Sequence, residues 1–207
     1  MSGHLSMLGK RDGKTFTFGE SRRLGGRAAS ADRSNDGSFS FSVSGSSPQG
    51  EEQSLNACRL LVKRLNSLGA TWGEPSLIEM ADVDCQAVDT DDRENILQVQ
   101  VVQAVTDSRL WQRLNTQGSA QESAKDASAL AEQIEAAIKH KEAKIPANAR
   151  SDLTLALDAT LVPAFAFDHV IEEFRSVYGT WADSLDFAAI WLVGPLDDLV
   201  QQLDNSR

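Results

Sequence analysis

Asp84, Gln98 and Gln100 are the residues of this chain whose types and spacing best suit a chemical site. They belong to ADVDCQAVDTDDRENILQVQVVQ, residues 81 to 103, which reads as two strands joined by an acidic turn. In Val83 to Val88 the apolar Val83, Cys85 and Ala87 alternate with Asp84 and Gln86, and a side-chain period of two sends the two sets to opposite faces. In Ile96 to Gln103, Leu97, Val99 and Val101 share one face, and Gln98 and Gln100 the other. Asp89 to Asn95 is a charged connection of hairpin type. One face of the pair is therefore greasy, and the other gathers a carboxylate and two amides, a set that both accepts and donates hydrogen bonds. That set does not by itself name a reaction.

Asp158 is a second-rank candidate. It closes the apolar strand 153–158, and open α/β sheets place ligands at strand ends. An Asp in that position also caps the following turn through its own side chain, and both readings stand. Other chemistry finds little support. His4, His140 and His169 are far apart and not at ligand spacing, which argues against zinc. Gly25-Gly26 lacks the strand and helix of a phosphate-binding loop. Ser46-Ser47, followed by Pro48, reads as a helix cap rather than a nucleophile elbow. Cys58 and Cys85 show no CxxC spacing and read as two reduced, buried thiols. Lys139, His140, Lys141 and Lys144 suit the negative end of a helix, with a phosphate-facing role as the alternative.

The elements that must position these residues follow from periodicity. A strand is expected over 38–44, where Phe39, Phe41 and Val43 alternate with serines. A helix follows over 51–68, with Leu55, Cys58, Leu61, Val62, Leu65 and Leu68 as its apolar stripe and Gly69 as its stop. After the strand pair come a short helix over 107–114, a loop, and a long helix over 122–144 that Pro146 ends. The remainder reads as a strand at 153–158, a helix at 168–178, a strand at 187–193 and a short helix at 195–203. The late strands imply a parallel crossover and the central pair an antiparallel arrangement. The fold class is therefore α/β, with a central mixed sheet flanked by helices.

Length and composition bound the function. With 207 residues, 41% of them hydrophobic, the chain builds one domain of ordinary size, expected over 38–207, behind a flexible Gly/Ser/Arg-rich arm over 1–37. The net charge is -10, but residues 1 to 50 hold seven Lys/Arg against four Asp/Glu and residues 51 to 207 thirteen against twenty-six. An acidic body repels phosphate, so nucleic-acid binding needs the arm, whose Lys10, Arg11, Lys14, Arg22, Arg23 and Arg27 are the candidate phosphate contacts. A solubilising tail is the alternative. No signal-peptide core and no run of about 20 apolar residues is seen, so a soluble cytoplasmic protein with no membrane partner is expected.

The order of parts resembles a known family. A helix with a Glu near its start, a strand with Asp, a turn, a strand with an alternating polar pair, a helix and a further strand resemble the core of the PD-(D/E)xK nuclease-like superfamily, over roughly residues 39 to 193. The resemblance implies a restriction-endonuclease-like core in which a strand Asp and the Glu of the next strand bind a divalent metal. A Lys two residues after that Glu orients or activates the attacking water. Carried over, Asp84 falls on the Asp, Gln98 on the Glu, Gln100 on the Lys, and Glu52 on the helix carboxylate of some members. Asp84 and Glu52 are then the metal ligands, and Mg2+ is the cofactor if the chain is active. Gln98 offers an amide oxygen but removes a full negative charge from a site that favours carboxylates. Gln100 hydrogen-bonds a water but brings no positive charge to a phosphate.

Three functions are therefore in play. The preferred one is a nuclease-like domain with a degenerate metal site, acting in binding or complex assembly on nucleic acid or protein partners. The second is an active magnesium-dependent endonuclease cleaving phosphodiester bonds, with Glu52, Asp84 and Gln98 around the ion. The third is an unrelated α/β interaction domain in which the glutamines are ordinary polar residues.

Overall fold

A computed structural model of the chain describes residues 18–24, 27–33, 39–45, 50–80, 82–104, 119–124, 127–160, 162, 164–194 and 196–204. In chain order the strands and helices are β1 (Phe18–Leu24), β2 (Arg27–Arg33), β3 (Phe39–Gly45), α1 (Gly50–Ser67), β4 (Ser76–Met80), β5 (Val83–Val88), β6 (Ile96–Gln103) and β7 (Ser119–Ala124). There follow α2 (Ala127–Glu142), α3 (Ala147–Arg150), β8 (Leu153–Asp158), α4 (Ala164–Ala182), β9 (Ala189–Val193), a 3-10 turn at Asp197–Leu199 and β10 (Val200–Gln202). They divide into two compact units, Met1–Pro48 with Thr106–Leu130, and Gln49–Val105 with Ala131–Arg207.

The first unit holds a four-stranded sheet in the order β1-β2-β3-β7. Every pairing in it is antiparallel, with Phe41 opposite both Ala31 and Glu122. Two strands thus lie within the range expected to be an arm. The alternating strand at 39–45, expected in the α/β domain, pairs in this sheet instead. The pattern of Ser119–Ala124 reads as loop running into a helix from 122, but the segment is a strand on β3, and the helix starts at Ala127. SAQESA carries no apolar alternation, so pairing rather than intrinsic preference makes it a strand. The helix expected over 107–114 lies outside the described residues.

The second unit is the α/β body, a six-stranded mixed sheet in the order β10-β9-β8-β6-β5-β4. β4, β5 and β6 form an antiparallel meander, β6, β8 and β9 are parallel, and β10 returns antiparallel on β9. α1 opens with Glu51 and Glu52 at its positive end and stops before Gly69, whose φ of 106° suits the left-handed turn that ends a helix. Its Ala57, Cys58, Leu60 and Leu61 pack with Cys85, Val99, Ala156, Trp191, Val193 and Val200 into one core cluster. Alternation sends Leu155, Leu157, Ile190 and Leu192, all fully buried, to the opposite face. The β6-α2-β8 and β8-α4-β9 crossovers both run the same way across the sheet. Right-handed connections therefore place α2 and α4 together on that second face, where Ile134, Ile138, Phe167 and Phe174 are fully buried.

The last segment is not a helix over 195–203. Val200 is fully buried opposite Val193, and the Leu203 amide donates to the Ile190 carbonyl at 2.8 Å, so the segment satisfies the open edge of β9. Cys58 and Cys85 are not separate thiols: their sulfurs are joined as a disulfide between α1 and β5, with Cα atoms 6.9 Å apart. That pairing removes the cysteines as an argument for a reducing compartment. Among the described residues no helix is long and apolar enough to cross a membrane.

Candidate functional site

β5 carries buried Val83, Cys85 and Ala87 in alternation with half-buried Asp84 and Gln86, so its polar face is set by the pleat. The β5/β6 register puts Gln86 opposite Gln98 and Cys85 opposite Val99, and one step further along it brings Asp84 opposite Gln100. The pairing is direct. One Asp84 carboxylate oxygen, Oδ2, accepts from Gln100 Nε2 and from the Val101 amide, the latter at 2.7 Å. The same Gln100 nitrogen also lies 3.3 Å from the Val101 carbonyl. Gln100 is only 5% exposed, so its amide depends on these partners. Gln98 lies half-buried in the next cross-strand row, beside Gln86.

The structure thus joins Asp84 and Gln100 and keeps Gln98 on the same face. Glu52 is placed elsewhere: it is exposed on α1, the helix whose apolar stripe covers the opposite face of the sheet. Among the described residues, no group of three or more His, Cys, Asp or Glu is placed to hold a metal ion.

A second polar cluster occupies the α1 face, at the carboxyl ends of the parallel strands. Gln103 ends β6 and sits opposite Asp158, the last residue of β8. Gln53, in the first turns of α1, donates from Nε2 to Gln103 Oε1 at 2.8 Å and to Asp158 Oδ2 at 2.5 Å. Asp158 Oδ1 accepts from the Thr160 amide at 3.0 Å and the Thr160 hydroxyl at 2.6 Å, which is the turn-capping role. At 2% exposure this carboxylate is buried among neutral donors. Gln53 and Gln103 escaped the sequence reading although a signal existed. Gln53 precedes Ala57 by four residues on the helix stripe, and Gln103 extends the Val99, Val101 alternation.

No match to this chain is found among protein-family models, curated proteins or solved structures. Both clusters pin one carboxylate with neutral hydrogen-bond donors, and each ties neighbouring elements together, β5 to β6 in one and α1, β6 and β8 in the other. Of the expected phosphate contacts, Lys10, Arg11 and Lys14 lie outside the described residues. Arg22 and Arg23 are on β1 and Arg27 on β2, within a hairpin that pairs Arg23 with Ala28 and Leu24 with Arg27.

Proposed function

We propose that the chain is a nuclease-like domain that binds rather than cleaves, with nucleic acid held by the arginines of the β1/β2 hairpin. The observation that carries the first half is the Asp84 carboxylate, whose Oδ2 is taken by the Gln100 amide and the Val101 N–H. Its companions on that face, Gln86, Gln98 and Gln100, are neutral. Magnesium is bound through carboxylates and keeps several waters, and this donor set is a poor fit to it. Gln100, which is neutral, occupies the place of the water-activating lysine. The nuclease-like part of the reading is supported by the helix, antiparallel meander, helix and parallel strand that run in sequence order across the sheet.

Charge supports the second half. The unit containing the hairpin holds ten Lys/Arg against seven Asp/Glu, and the α/β body ten against twenty-three. Phosphate is therefore repelled by the body and attracted to the smaller unit. The test is fluorescence anisotropy of a labelled DNA or RNA 20-mer on the full chain across a salt series. Replacing Arg22, Arg23 and Arg27 with Gln is expected to weaken binding and flatten the salt slope by up to about 0.9 per lost phosphate contact on duplex DNA. Equal affinity and slope in parent and variant, or no binding by the parent, would refute the assignment.

A further inference from the structure

β4 is an edge strand. Among the described residues its one strand neighbour is β5, with a register shift between Leu77 and Met80, so the outward backbone N–H and C=O groups of β4 face away from the sheet. The strand has not been made polar to protect that edge: Leu77 is 39% exposed and Met80 55%. Between β4 and the first turns of α1 runs a groove of about 740 Å³. Leu77, Met80 and Val83 give it an apolar floor, while Glu51 and Glu79 make its lining acidic. Among the described residues no Lys or Arg lines it. A groove between an edge strand and a helix is the geometry in which an extended peptide adds a strand, gaining affinity from backbone hydrogen bonds and specificity from alternate side chains.

We propose that the β4 edge docks an extended basic peptide as a seventh strand. Its apolar side chains cover Leu77 and Met80, and its Lys or Arg side chains meet the carboxylates of the groove. Charge selects this occupant over a second copy of the chain, because antiparallel self-pairing of SLIEM brings the two Glu79 side chains to nearby positions. The inference is independent of nucleic-acid binding, since every residue it uses lies in the acidic body.

The probe is fluorescein-labelled Lys-Val-Lys-Val-Lys-Val, titrated into the full chain by anisotropy beside Glu-Val-Glu-Val-Glu-Val and a basic peptide N-methylated at alternate amides. The basic peptide is expected to bind saturably, to weaken as salt rises, and to slow hydrogen exchange of the β4 amides. The acidic and N-methylated peptides should fail. Glu79→Lys should weaken binding several-fold, and Glu79→Gln less, with unchanged thermal unfolding as the check on folding. The proposal is overturned if the basic peptide does not saturate, if the N-methylated peptide binds as well, or if both Glu79 variants keep the parent affinity. A dimer by light scattering that Leu77→Asp dissolves would give the edge to a second copy and overturn it too.

Discussion

Removing the Asp84 carboxylate should destabilise the α/β body, because the residue acts as a latch between β5 and β6. Asp84→Ala deletes two hydrogen bonds to a charged acceptor, each worth about 1.5–3 kcal/mol when its donor is buried. It leaves the Gln100 amide, at 5% exposure, to the longer 3.3 Å contact with the Val101 carbonyl, while the Val101 N–H loses the bond it makes at 2.7 Å. Asp84 is itself half-buried, so water relieves part of the loss, and a cost of about 2–4 kcal/mol is expected. Gln100→Leu removes that donor and leaves Asp84 bonded to Val101, which costs about 1–2 kcal/mol. The double variant should therefore lose less than the sum of the two, by about 1–2 kcal/mol. Urea unfolding followed by tryptophan fluorescence is a suitable assay, since Trp72, Trp181 and Trp191 all lie in this unit. The latch is refuted if Asp84→Ala falls within about 0.5 kcal/mol of the parent, or stabilises it as loss of a strained functional group can. It is refuted equally if the cycle is additive to within about 0.3–0.5 kcal/mol.

Other consequences are open to simple measurements. A Cβ on Gly194 would meet the Leu199 carbonyl and come within 2.7 Å of the Phe167 ring, so Gly194→Ala should cost about 1–3 kcal/mol; an unchanged melting temperature would contradict that packing. The Cys58–Cys85 disulfide closes a loop of 27 residues, so reduction should cost up to about 3.5 kcal/mol by loop entropy, and denatured, unreduced protein should show no free thiol. Two thiols titrating without reductant would remove the bond. The Thr71 hydroxyl, followed by the Asp91 amide, holds the Asp89 carboxyl below its ordinary value of 3.8. A carboxylate lowered on folding stabilises above the unfolded value, and that contribution disappears as pH falls through the lower folded value. Carboxyl NMR should place the Asp89 midpoint under 3.8 and Thr71→Ala should raise it; a midpoint at or above 3.8 in the parent would overturn the assignment.

Asp84 and Gln100 were legible in the sequence because a period of two is a local property, and the pleat carries it directly into a shared face. The parallel crossover from β8 to β9 was legible for a similar reason, since two buried strands flank one helical pattern. What escaped depended on partners distant in sequence. Ser119–Ala124 is a strand only because β3 lies beside it, and Val200–Gln202 because β9 has an edge to fill. SLIEM is short and follows Pro75, and its strand identity comes from β5. The Gln53, Gln103, Asp158 cluster brings residues 50 and 105 positions apart into contact, a meeting that no local spacing announces. Cys58 and Cys85 likewise meet only once α1 is laid across β5.

Binding without cleavage is tested most directly by thermal unfolding of the full chain with and without millimolar magnesium or manganese, beside Asp84→Ala. A cation that binds only the folded state adds about 2.7 kcal/mol when present at a hundredfold over its Kd. The account predicts the same midpoint with and without the ion in both proteins, with the variant lower throughout because its latch is gone. A rise in the parent that is absent in Asp84→Ala would make the Asp84 face a working metal site and contradict the account.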